Sequence, residues 1–445
     1  MMKRQLTLFI FLLSIGWAGR PITAEDIVNI RYIAQPVIDP SGNYIAYVKI
    51  IPRGTDEKRG GSYREIWVTK LDGTDQRQYT FSPVNSWSPQ WTSKGNLSFL
   101  SRRKDHNPGT QIYIMPFKGG EAKLLTDHKT GVGSYQWSPD GKWIAFTSRD
   151  QKSDDQKKAE KEGLDMIVMD QLHIYTRLWV YNVKAATYQK VFKQDLNVAS
   201  FKWSSDSKTI VFQATDKTGA DRDLLERSIY RVKTPSGHPK KILETPGKLG
   251  DMAISPNNER LAFLGATSYN DPLAQNIYVV PVKGGKASLL TPDFKESFVT
   301  VDWVDDQTIL AKSYRGTKTV LSTIDTKGKT PEGIANQTDV LSPGEILSSI
   351  SFHKPSGKLV ITASTHVHPN ELYVGSLGSK VIKRLTHTNK GFDEIDLAKQ
   401  ETISWFGPDG LEIEGVLTYP LKYRKGKRYP RSEERRVGKE CRSRW

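Results

Sequence analysis

Cysteine is nearly absent: the 445-residue chain has one, Cys441. Residues 1–430 therefore hold no disulfide, no Cys-based metal site and no Cys nucleophile. A chain of this length buries enough apolar surface to fold without such staples. Long apolar runs are also lacking. The stretch Leu6 to Ile15 is about half of the roughly 20 residues needed to cross a bilayer. With Lys3 and Arg4 before it and Ile22-Thr23-Ala24 after it, residues 1–24 read as a secretory signal peptide with cleavage before Glu25. An uncleaved anchor is the alternative. No cysteine follows the apolar stretch, so a lipid anchor is not indicated. The expectation is an exported protein, periplasmic or extracellular, with no stable membrane insertion.

The motifs of several enzyme classes are missing too. No Gly-x-Ser-x-Gly elbow, phosphate-binding G-x-x-x-x-G-K-[ST] loop or H-E-x-x-H pair occurs. Gly131-Val-Gly-Ser-Tyr135 has the wrong spacing for the elbow. The net charge of +16 falls to +10 for residues 25–430, once the leader and the last 15 residues are set aside. No basic run is interleaved with aromatics, so nucleic acid is not an expected partner. Of eight histidines only His366 and His368 lie close together. On a strand they would share a face, as metal ligands do, but no third ligand is evident. No metal or cofactor is expected.

What the chain does have is repetition. An apolar or aromatic residue, a polar turn and a strand recur, most clearly at Trp137-Ser-Pro-Asp-Gly-Lys-Trp-Ile-Ala-Phe146. Other copies begin at Ile38, Trp91, Trp203, Ile254, Trp303 and Phe352. A second motif alternates with it: a strand, a Gly-rich turn and a short strand ending in Leu-Thr. Gln111 to Thr126 and Asn276 to Thr291 are near duplicates, and weaker copies start at Glu65, Arg177, Ser228, Lys318 and Glu371. Pro139 presets φ for a turn, and Gly119-Gly120 and Gly284-Gly285 tolerate the positive φ of a hairpin. About four strands every 46–66 residues is the signature of a propeller blade. The fold expected is all-β: a β-propeller over residues 25–400, with seven four-stranded blades. Six or eight blades, a sandwich pair or a solenoid are the alternatives.

The widest spacing marks an insertion at residues 148–176. Its charge run, Asp150 to Gly163, reads as a solvated helix or arm, and Met166 to Met169 needs burial. Glu160, Glu162, Asp165 and Asp170 are candidates to hold a substrate's amino terminus, against a reading as plain surface charge.

Residues 401–430 break the repeat. Glu401 to Pro420 reads as two alternating strands joined by Pro408-Asp409-Gly410, and a basic loop runs on to Tyr429-Pro430. A leader, W-S-P-D-G-K repeats, Asp409-Gly-Leu-Glu-Ile-Glu-Gly415 and Tyr429-Pro430 together resemble the prolyl oligopeptidase family of serine peptidases, its acylaminoacyl-peptidase and dipeptidyl-peptidase-like members in particular. The stretch Asp170 to Tyr175 resembles a segment of that family's propeller. The resemblance implies that 401–430 opens a C-terminal α/β-hydrolase domain, of which only the first strands are present. It also implies oligopeptide cleavage by acyl transfer to Ser, with His as general base and Asp orienting it. A peptide substrate is the implied partner and no cofactor is implied. The family's His-Gly-Gly segment, nucleophile, Asp and His do not follow, so the chain as it stands is expected to be inactive. Residues 431–445 have no strand period and resemble a translated sequencing adapter, a non-native tail. The competing expectation is a stand-alone exported propeller that binds a protein or a cell-envelope component. The two differ in whether Leu411, Ile413, Val416 and Leu417 complete a blade.

Overall fold

The structure, a computed structural model, describes residues 19–103, 109–164, 174–270, 273–292, 294–327, 346–379, 381–430 and 432. The leader reading up to residue 18, Asp165, Asp170, Met166 to Met169 and nearly all of the tail reading fall outside them.

The repeats form a seven-bladed β-propeller. Each blade is an antiparallel sheet whose strands pair in chain order. Six blades have four strands; the sixth shows three among the described residues, Ser297–Trp303, Thr308–Arg315 and Lys318–Asp325. The innermost strands are Tyr32–Ile38, Ser86–Trp91, Tyr135–Trp137, Asn197–Trp203, Leu249–Ile254, Ser297–Trp303 and Ile346–His353. The first sequence motif thus begins at the end of each inner strand. The second marks the third strands, such as Gln111–Met115, Asn276–Pro281 and Glu371–Ser376.

The turn chemistry repeats with the strands. Ser138, Ser204 and Ser255 each donate to the carboxylate or amide two residues on, at 2.7, 2.6 and 2.7 Å. Each also accepts the backbone N–H five residues on. Gly141 closes its turn at φ +68°, a conformation that favours glycine. The Leu-Thr ending has its own physical role. Thr80, Thr126, Thr291 and Thr386 accept the backbone N–H of Ile66, Ile112, Ile277 and Leu372 at 2.8–2.9 Å. This side chain stands in for a ladder partner where the short outer strand ends.

The core is not one body but seven apolar clusters, each shared by two neighbouring blades. The aromatic that opens each motif packs there. Trp91, Trp203 and Trp303 reach back to the preceding blade, where their indole N–H donates to Val37, Gln136 and Ala253 carbonyls at 3.1, 3.2 and 2.9 Å. Trp137 does the same to the Ser98 hydroxyl at 2.8 Å. The ring closes without any exchanged strand. Ile33, Ile45 and Tyr47 of the first blade pack on Val360 and Leu372 of the seventh.

Trp303 is fully buried. Trp303→Phe should keep much of the apolar contact but orphan the Ala253 carbonyl and leave a void. We expect a loss of roughly 1–3 kcal/mol, read as a fall of several degrees in Tm. Trp405→Ala, at an exposed position outside the ring, should leave Tm within about a degree.

Candidate functional site

Alternation along each inner strand turns the motif's aromatic toward the preceding blade and the residue before it toward the next. That second residue is polar in five copies: Gln90, Gln136, Lys202, Asp302 and Ser351. The structure uses each as a tie to the next inner strand or, for Asp302, to the turn that follows it. Gln90 donates to the Tyr135 carbonyl at 2.6 Å, and Gln136 accepts from the Trp203 N–H at 3.3 Å. Lys202 pairs with Asp251 at 3.4 Å, and Asp302 with Lys354 at 3.2 Å. Ser351 accepts from the Ile38 N–H at 3.1 Å, across the seam. Gln35, accepting from Ser88 N–H at 2.8 Å, and Asp251, accepting from Val301 N–H at 3.2 Å, complete the circuit. All seven blade junctions therefore carry a polar tie beside the apolar cluster. Between blades three and seven they line a cavity of about 390 Å³, with Lys202, Asp251, Asp302 and Lys354 in its wall. The sequence analysis missed this set. Its signal was the polar residue immediately before each motif aromatic.

Strand order also sorts the loops onto two faces. An inner strand runs from the face where the chain joins the ring, here the terminal face, to the opposite one. The Ser-Pro-Asp-Gly and Gly-Gly turns lie on the opposite face. The terminal face carries the connections between second and third strands and those between blades. The insertion joins Trp143–Arg149 to Thr176–Asn182, so its ends lie on the terminal face. Its base is clamped. The Asp150 N–H donates to the Tyr175 carbonyl at 2.8 Å, and Arg177 pairs with Asp150 and Asp195 at 2.7 and 2.8 Å. Ser148, at the start of the insertion, shares a hydrogen bond with His128 Nδ1 at 3.1 Å. That imidazole sits among Phe146, Trp179 and Tyr188.

The carboxylates singled out from the sequence are not gathered into a site among the described residues. Glu160 lies on the exposed helix Asp154–Lys161 and pairs with Lys152 at 2.6 Å. Glu162 caps the end of that helix and is exposed. The histidines are not on a strand either: they follow Lys358–Ser364 in a turn. There His368 bonds Tyr373 Oη at 2.9 Å while His366 is exposed. The turn breaks the shared face that a strand would have given them.

The segments that enter and leave the ring meet on the terminal face. Arg20–Pro21 pairs in parallel with Ile395–Asp396, and Arg20 holds Asp26 at 2.6 Å. Hydrogen bonds from Arg20 and Thr23 keep the Asp26 carboxyl well below the usual range. Residues 20–24, read above as the end of a leader, thus contact the fold here. Beyond them Gln400–Phe406 and Glu412–Thr418 form a hairpin that is its own two-stranded sheet and joins no blade. It touches the sixth blade, where Glu414 accepts from the Thr317 N–H at 3.1 Å. Ile403, Trp405, Phe406, Leu411, Ile413 and Val416 are exposed. Trp405 covers Gly415, where a Cβ would lie 2.9 Å from the indole.

Two substitutions test these contacts. Asp251→Ala strands both Lys202 and the Val301 N–H, and should cost about 1–2 kcal/mol; Asp251→Asn, which still accepts from Val301, should cost less, by comparison of melting temperatures. Burial, with Lys190 nearby, depresses the His128 pKa below its ordinary 6.5. The folded state then favours neutral imidazole, so stability is full above pH 6.5 and is lost as pH falls through the folded value. Melting between pH 7.5 and 5 should show a smaller drop for His128→Gln than for the parent.

No established protein-family profile matches the chain. It is 24% identical over 319 residues to a dipeptidyl-peptidase 5 from Porphyromonas gingivalis, across 65% of this chain and 45% of that protein. The chain spans less than half the length of the curated relatives it matches. Among solved structures it is similar to an acylaminoacyl peptidase from Pyrococcus horikoshii, with a TM-score of 0.67 at 15% identity over 91% of this chain and 60% of that one. It is also similar to the β-propeller domain of the trilobed protease from Pyrococcus furiosus, with a TM-score of 0.56 at 13% identity over 81% of this chain and 99% of that domain. These structural likenesses establish the fold, and with the curated peptidase matches they bear out the resemblance drawn from the motifs: the chain resembles the propeller portion of prolyl oligopeptidase-family peptidases.

Proposed function

We propose that this chain is the propeller part of an exported serine peptidase that cleaves oligopeptides, and that residues 1–445 alone are catalytically inactive. The observation that carries the reading is the hairpin at 400–418. Each blade is built from strands contiguous in sequence, and the two further strands of the hairpin pair only with each other and join no blade among the described residues. Their exposed apolar residues call for a partner surface. An α/β-hydrolase domain that begins with this hairpin would supply it.

The working face would then be the terminal one. The insertion base, the Arg20–Pro21 segment and the hairpin lie there, so a domain continuing from Pro430 would start on that face. The propeller would control access and leave the chemistry to the second domain: a ring tied at every junction would admit an extended peptide and exclude a folded one. Export rests on the basic, apolar and small-residue order of residues 1–24. Envelope binding by a stand-alone propeller does not account for the hairpin.

Residues 25–430 should not turn over a chromogenic dipeptide above a heat-killed control. The same residues fused after Pro430 to the hydrolase portion of the P. gingivalis relative should do so. Turnover by the unfused chain, or a folded but inert fusion, contradicts the reading.

A further inference from the structure

A second cavity, of about 1150 Å³, opens at the seam between the first blade and the segment leaving the seventh. Five cations line it: Arg20 is paired with Asp26 and Arg53 is hydrogen-bonded to the Gly61 carbonyl and Tyr63, while Lys390 lies on the segment leaving the seventh blade; the other two are Lys49 and Arg31. Lys49 comes from the second strand of the first blade and is half-buried, its Nζ 4.6 Å over the Trp67 ring. Arg31 lies just before the inner strand. Its backbone is held from both sides by Asn389, which accepts from the Arg31 N–H at 2.9 Å and donates to its carbonyl at 2.8 Å. Burial, and then the Arg31 charge, push the Lys49 ammonium below its ordinary pKa.

The charges of Glu65 and Glu371 offset this in part, but each of these carboxylates is hydrogen-bonded to other groups. Glu65 accepts from the Ser82 hydroxyl at 2.6 Å. Glu371 is held by Arg384 at 3.2 Å and by the Thr388 N–H at 2.6 Å. Asp26 belongs to Arg20. Among the described residues neither Arg31 nor Lys49 lies within ion-pair distance of a carboxylate. Two like charges lining one concavity, one of them half-buried, are stabilised by an incoming anion. Glu25 and Asp26 on the rim disfavour a multiply charged phosphate. Trp67 and Ile33 in the wall suit an uncharged chain attached to the anion. The space is ample for a few residues of extended peptide.

We propose that this seam cavity is a peptide subsite in which Lys49 and Arg31 hold a carboxylate of the bound peptide. The proposal rests on the peptide-handling reading above and adds a preference to it: acidic or free-acid peptides over neutral ones. Lys49 is positioned by the first-blade sheet and Arg31 by Asn389 across the seam, so the pair is complete only when the first and seventh blades meet.

The test is calorimetric titration of the full chain with trialanine, trialanine amide and N-acetyl-Ala-Glu-Ala amide. The free acid should bind about tenfold more tightly than the amide, the worth of one charge-assisted hydrogen bond. Tight binding of the Glu peptide would assign the carboxylate to a side chain; weak binding would assign it to the terminus. Lys49→Met and Arg31→Gln should each remove the acid–amide difference; the second lies outside any strand, so its backbone contacts and fold are retained. Equal affinity for all three peptides, unaffected by either variant, overturns the subsite but leaves the peptide reading standing. Tighter binding of inorganic phosphate than of trialanine also overturns it. Absence of any peptide binding overturns both.

Discussion

Ring closure is the constraint on which everything else here depends. A single blade exposes two apolar faces and cannot be stable alone; seven of them become stable only when the last meets the first. Many rings could be imagined that secure this meeting with a strand from one chain end completing the blade at the other. Among the described residues this chain does not do so: the sheet of each blade is contiguous in sequence. The seam is held instead by an apolar cluster around Tyr47 and Leu372, by Ser351 reaching the Ile38 N–H, and by Asn389 bridging the Arg31 backbone. The seam thus has the same two components as the six internal junctions, plus the clasp formed where Arg20–Pro21 meets Ile395–Asp396.

One consequence is a division between the faces. The tight turns with Ser, Pro, Asp and Gly are confined to one face because they join strands that must be close. The other face carries every connection that is free to lengthen, and the chain has lengthened there. The insertion, the segments that enter and leave the ring and the outlying hairpin all gather on it. Function in folds of this kind resides in such connections more than in the blades. The charged cavity at the seam is on the same side of the molecule for the same reason: it is walled by the segments that enter and leave the ring.

Much of this was legible in the sequence because it repeats. The period-2 strands, the turn residues and the Leu-Thr endings each have a local physical cause, and seven noisy copies reinforce one another. The pairing of the motif aromatic with a polar residue before it was equally visible, yet its meaning was not. That Gln90 and Lys202 are ties and not surface depends on what the next blade, about 50 residues away, places opposite them. The two candidate carboxylates that are described, Glu160 and Glu162, are surface-exposed for the converse reason. Glu160 and Glu162 are near in sequence, but on a short solvated helix sequence neighbours point apart and find partners such as Lys152. The seam cavity was invisible because Lys49 and Asn389 are brought together only by closure.

Hydrogen–deuterium exchange, read strand by strand on the intact chain, tests closure most directly. If the seam is a junction equivalent to the others, amides of Tyr32–Ile38 and Glu371–Ser376 will be protected within about tenfold of those of Asn197–Trp203, deep in the ring. Exchange of the first-blade inner strand orders of magnitude faster, with the fourth blade still protected, would mean that the ring stands open, and the account of the seam would be wrong.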